Sequence, residues 1–192
     1  MIHVSVFAKL SQSIKSDMTI RFNQEVADIV WQHLLSATVV SAAALMPGAG
    51  PTIAVVGQTG VVYAMYARMS KALGVRFSEN ALKTIASAVV SNIAANAASV
   101  LANLAASTLL SFIPVVGTSA AGVLTTAIAF ATVYVSALSY GSILQAIGRK
   151  HVDDMSAKEL RQLVKEEMAQ RDISGEMKEM IDLYRKAGQA SA

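Results

Sequence analysis

The sequence predicts an all-α protein: two long helical hairpins, in or on a membrane, with amphipathic helices at both ends. Three observations carry this reading. From Thr84 to Gly148 there is no Asp, Glu, Lys, Arg or His, and from Ile29 to Ala67 the only one is His33. Each of these stretches is interrupted by a proline–glycine cluster, which must break a helix. No segment shows sustained period-2 alternation, so no sheet is expected.

The uncharged runs matter because a surface in water needs charged residues somewhere. Charged residues make up 15% of the 192-residue chain and hydrophobic residues 54%. Ordinary globular domains carry about 25% charged residues. The apolar content is largely Ala and Val diluted by Ser and Thr, which also leaves open a water-soluble, Ala-rich helical bundle.

The elements follow in order. Val6 to Ser16 reads as a short amphipathic helix, with Phe7, Leu10 and Ile14 on one face. A first long helix is expected from Thr19 to Leu45, polar at its start and apolar after Ile29. The tip Pro47, Gly48, Gly50 and Pro51 ends it. A return helix from Thr52 to Leu73 stops at Gly74, a natural residue for the position just past a helix end. The second hairpin pairs Glu79–Phe112 with Ser119–Ile147 around a tip holding Pro114 and Gly117. A weak internal repeat aligns Pro47 with Pro114, Gly50 with Gly117, Thr52 with Ser119 and Tyr63 with Phe130. Any two hairpins need such breakers, so common ancestry of the halves is not required.

Ser156-Ala157-Lys158-Glu159 has the form of a capping box. It opens an amphipathic helix carrying Leu160, Leu163 and Val164. A last helix, Glu176 to Lys186, carries Met177, Met180, Ile181 and Tyr184 on one face. The chain thus divides into an N-terminal amphipathic segment (1–18), a two-hairpin hydrophobic region (19–148) and C-terminal amphipathic helices (149–192).

Charge placement sets the expected topology. Every charged residue lies at the open ends of the hairpins, and none lies near the tips. By the positive-inside rule both termini and the Arg68–Lys83 connector face the cytoplasm, with the tips across or within a bacterial inner membrane. A span needs about 20 apolar residues, a length within reach of the Thr52–Leu73, Glu79–Phe112 and Ser119–Ile147 helices, and of the first long helix only from Ile29 onward. Ile2-His3-Val4-Ser5-Val6-Phe7 is too short and interrupted for the apolar core of a signal peptide, which a bacterial multi-pass protein would not need. Trp31, Tyr63, Tyr66, Tyr134 and Tyr140 suit an interfacial aromatic belt or, equally, aromatic core packing.

Candidate functional residues are polar side chains on otherwise apolar helices. Asn92, Asn96, Ser99, Asn103 and Ser107 fall within a strip about 80° wide at about 100° per residue. Thr118, Thr125, Thr132, Ser136 and Ser139 mark a second strip. Such strips either join packed helices by hydrogen bonds or line a watery path in an oligomer. No charged ring accompanies them, so the first role is the simpler. Ser91, Ala94, Ala95, Ala98, Ala102, Ala105 and Ala106 would permit close helix approach.

Several classes have no support. The chain has no cysteine, which removes disulfides and thiol chemistry. His3, His33 and His151 lack neighbouring ligands at metal spacing. There is no P-loop, no G-x-S-x-G elbow and no H-E-x-x-H. No enzyme activity, metal or cofactor is therefore expected. The formal charge of +3 is too thinly spread for a nucleic-acid footprint.

Met46-Pro47-Gly48-Ala49-Gly50, then Met69-Ser70-Lys71-Ala72-Leu73-Gly74-Val75-Arg76-Phe77-Ser78-Glu79, then Phe112-Ile113-Pro114-Val115-Val116-Gly117 resemble an uncharacterised bacterial membrane domain. That domain is often fused behind Era-like GTPase domains (the domain-of-unknown-function family numbered 697). The similarity covers roughly residues 35–147. It implies a membrane-associated helical module with a GTPase or other soluble protein as partner. This chain carries no nucleotide-binding domain, so a GTPase would be a separate protein. A homo-oligomer is also compatible. An alternative resemblance is to colicin-type pore-forming toxins, which keep a hydrophobic hairpin inside a helical bundle.

Overall fold

The computed structural model describes residues 4–44, 51–106, 120–148 and 155–189, with side chains at 10–39, 57–96, 125–148, 155–184 and 186. Seven α-helices and no strand occur among the described residues: α1 Val4–Arg21, α2 Gln24–Ala44, α3 Pro51–Ala72, α4 Glu79–Ala106, α5 Ala120–Ile147, α6 Ala157–Ala169 and α7 Ile173–Gln189. The protein is all-α, as the sequence predicts. Of the hairpin-tip residues, Pro51 opens α3, where its missing N–H is no loss. Pro47, Gly48, Gly50, Pro114 and Gly117 lie outside the described residues.

Local signals explain most boundaries. Gly74 adopts φ +69°. Val75 N–H donates to Ser70 O at 2.8 Å and Gly74 N–H to Lys71 O at 3.2 Å, the paired bonds of a Schellman helix end. At α6, Glu159 N–H donates to Ser156 Oγ at 3.3 Å, and Ser156 N–H donates to Glu159 Oε2 at 2.7 Å. This is the expected capping box.

Two expected starts move. The first long helix does not run on from Thr19; α1 extends to Arg21 and α2 begins at Gln24. Asn23 makes the break, its Oδ1 accepting from Val26 N–H at 2.9 Å, as an N-cap does. The apolar stripe of α1 continues through Leu10, Ile14 and Met18, all buried, so the helix has reason to continue past Ser16. Likewise α7 starts at Ile173, because Asp172 Oδ1 accepts from Gly175 N–H at 2.9 Å.

α5 is the axle of the bundle. It contacts α2, α3, α4, α6 and α7, and its most extensive contact is with α2. A helix apolar on all faces belongs inside, and from Ala129 to Tyr140 every α5 side chain except Tyr134 is buried. α5 passes close to the turn that leads into α2: a Cβ on Gly141 would stand 2.7 Å from Phe22 Cζ. That contact and the Trp31–Phe130 edge-to-face pair at 6.4 Å show α2 and α5 running antiparallel.

The other helices form a ring around α5. On one side lie α2, α3 and α4, neighbours in that order. On the other lie α1 and α7, with α6 against α4 and α5. The apolar faces of α6 and α7 are spent on this core: Leu160, Leu163, Val164, Met168, Ile173, Met177, Met180, Ile181 and Tyr184 are buried.

Candidate functional site

The ring has two different outer surfaces. On α2 beyond Asp28, on α3 before Arg68 and on α4 after Lys83, the exposed described residues are Gln32, Leu35, Ser36, Val39, Gly60, Ala64, Ser87, Ser91, Ala94 and Ala95. None is ionisable. Val39 is 70% exposed, and a Cβ added to Gly60 would meet nothing within 4 Å. A surface in water ordinarily has charges at about a quarter to a third of its positions. The opposite layer follows that rule: Arg21, Lys158, Glu159, Arg161, Lys165, Glu166, Asp172, Lys178, Glu179 and Lys186 are all exposed on α1, α6 and α7 or, for Asp172, at the cap of α7.

The polar strips divide in their use. Asn92 Nδ2 donates to Ala88 O at 2.8 Å and Asn96 Nδ2 to Asn92 O at 2.9 Å, both within α4. Asn96 Oδ1 also accepts from Ser174 Oγ of α7 at 3.4 Å. On α5, Thr132 and Ser139 hydroxyls donate to the carbonyls one turn back, Ile128 and Val135. Ser136 is fully buried and its Oγ has no partner. Thr125 is half-buried and has a partner. Ser99 and Asn103 lie on α4 with side chains outside the described set, and Ser107 and Thr118 lie outside the described residues. Ser91, Ala94 and Ala95 face outward rather than into a helix contact.

Most bonds between helices come instead from residues the sequence reading did not assign to that work. Tyr66 O–H donates to Ser136 O at 2.8 Å. Ser70 O–H donates to Tyr66 O at 2.7 Å, which leaves Tyr140 O–H to donate to Ser70 Oγ. Tyr66 and Tyr140 are fully buried and stacked at 4.2 Å; they are core residues of α3 and α5, not belt residues. Tyr134 O–H donates to Asp17 Oδ2 at 2.6 Å, joining α5 to α1. Arg171 donates to Ser142 Oγ at 3.1 Å and to both Glu176 oxygens at 2.7 Å, pinning the start of α7 to α5. A pair of aromatic residues at matching ends of two return helices was the available signal.

At the open ends, charge pairs are exposed or partly exposed. Lys15 stands 2.6 Å from Asp28, and its hydrogen bond holds that carboxyl below its ordinary value. Lys83 and Glu79 pair at 2.5 Å, one turn apart. Exposed pairs of this kind are worth little. A cleft of about 640 Å³ runs between α1, α5 and α7, lined by Asp17, Arg21, Tyr134, Glu176, Lys178, Glu179, Asp182 and Lys186. It holds no histidine or cysteine, and Asp17 in it is already bonded to Arg21 and Tyr134. No group of three or more His, Cys, Asp or Glu able to hold a metal occurs among the described residues. His33 is buried on α2 with Nδ1 2.8 Å from Ile29 O.

Among the described residues, one helix is long and apolar enough to cross a membrane: Thr125–Ile147, 23 residues with mean hydropathy 1.6. Its window is 67% buried inside the bundle, the character of a core helix as much as of a span. The expectation for α2, α3 and α4 rests partly on side chains outside the described set. No protein family, curated protein or solved structure matches this chain.

Proposed function

We propose that this chain is a non-enzymatic, membrane-associated helical module. Lipid covers the α2–α3–α4 face, and the charged α1–α6–α7 layer is presented to a soluble protein. The two-sidedness of the ring supports this reading: ten exposed positions without a charge on one side, charged helices on the other. The resemblance to the domain fused behind Era-like GTPases suggests a GTPase as partner. Because the apolar faces of α6 and α7 are buried, that partner is met by their polar faces. The bacterial inner membrane, with both chain ends in the cytoplasm, is the setting that charge placement favours.

A second reading draws on α5. An apolar helix wrapped by amphipathic ones could be released to form a pore, as in colicin-type toxins. Flotation with neutral phosphatidylcholine vesicles loaded with a self-quenched dye separates the possibilities. The module should float with the vesicles, resist a carbonate wash and leave them sealed. Rapid dye release would favour the pore. A chain that stays monodisperse without detergent and ignores vesicles would overturn both and leave the Ala-rich bundle.

A further inference from the structure

We infer that Arg68, Lys71 and Arg76 form a docking rim for anionic lipid headgroups at the edge of the uncharged face. The inference rests on the membrane reading above and names the lipid class. Of sixteen Lys and Arg and thirteen Asp and Glu in the chain, four and one lie from Arg68 to Lys83. The rest of the molecule is therefore balanced, and the whole formal charge of +3 belongs to this connector.

All three side chains are exposed. Glu79, the one carboxylate of the segment, is taken by Lys83, which also lies 5.9 Å over the Tyr63 ring. Among the described residues, Lys71 and Arg76 pair with no carboxylate. Arg68 donates to the neutral Gln32 amide oxygen at 2.7 Å, which orients it across α2 without cancelling its charge. The Schellman turn at Gly74 holds Lys71 and Arg76 on either side of one rigid corner.

Position argues for lipid as the occupant. From Pro51 to Ala67, α3 carries no charged residue. At about 1.5 Å per residue that is roughly 25 Å, close to the hydrocarbon thickness of about 30 Å. When lipid covers the face, Arg68 and Lys71 come level with the headgroups. Basic residues there gain from the negative surface potential of anionic lipids, roughly fivefold in affinity for each cation.

The test is binding to vesicles of phosphatidylcholine alone and of phosphatidylcholine with about a third phosphatidylglycerol, at low ionic strength where surface charges act at full range. The wild-type chain should prefer the anionic vesicles on the order of a hundredfold, given about fivefold per cation. Arg68→Gln/Lys71→Gln/Arg76→Gln should lose that preference and keep neutral-vesicle binding. Lys158→Gln/Arg161→Gln/Lys165→Gln, the same charge change on α6, should keep it. Equal loss in both variants, or no preference in the wild type, would overturn the inference while leaving the membrane reading intact. Failure to bind either vesicle would overturn the membrane reading itself. Capture by a polyglutamate resin without any gain on anionic vesicles would assign the rim to an acidic protein and overturn the lipid assignment.

Discussion

Replacing Phe130 with alanine should cost about 3–5 kcal/mol of stability. Phe130 is fully buried on the axle helix. Its ring meets Trp31 of α2 edge-on at 6.4 Å and Tyr184 of α7 at 5.4 Å. Removing it therefore opens a cavity where three helices meet, and neither neighbour can fill it without breaking its own packing. Stabilities of about 5–15 kcal/mol are usual, so the loss would be a large part of the whole. Trp31 is the only tryptophan and reports this junction directly. Denaturant unfolding followed by its fluorescence should show the shifted midpoint. A change below about 1 kcal/mol would mean that α5 is not packed among α2 and α7 as described.

Met177→Asp should act on the outer layer. Met177 is fully buried at the middle of the α7 stripe, and no cation faces it in any described hydrogen bond or ion pair. An unpaired carboxylate in such a place costs on the order of 3 kcal/mol or more. The layer is held to α5 by few polar contacts, chiefly Arg171 with Ser142 and Tyr134 with Asp17. The expected result is release of α7 while the α2–α5 core persists. Limited trypsin digestion should then cut rapidly at Lys178 and Lys186, with helical circular dichroism largely kept. Protection equal to wild type would show that α7 does not depend on its apolar stripe.

Much of this arrangement was legible where chemistry is local. Gly74 and the Ser156–Glu159 box marked helix ends because each supplies its own hydrogen-bonding solution nearby. The α7 stripe was legible from its spacing. The break at Asn23 was missed although a capping residue stood there, because the apolar run of α2 overlaps the end of the α1 stripe. Asp172 was missed for a similar reason. The tyrosines were visible as core candidates, but their pairing was not. Tyr66 and Tyr140 are far apart in sequence, and on α5, apolar all round, no periodicity says which face meets α3. The polar strips were visible, but a Ser or Thr on a helix can satisfy itself on the carbonyl one turn back, as Thr132 and Ser139 do. Hydroxyl spacing alone therefore cannot name a helix partner.

The two-sided ring also sets what the surface could reveal. The uncharged face depends on which residues of α2, α3 and α4 point outward, and that is decided by α5 beneath them. Composition gave the absence of charge; only the packing turned it into a surface.

That surface is testable in place. The chain has no cysteine, so single cysteines can carry an environment-sensitive fluorophore at Ala64 on α3 and at Glu166 on α6, both exposed positions. With the labelled protein bound to vesicles containing nitroxide lipids, the Ala64 label should shift to the blue and be quenched, while the Glu166 label should stay water-like and unquenched. Quenching of Glu166, or water-like emission from both positions, would contradict a lipid-covered α2–α3–α4 face.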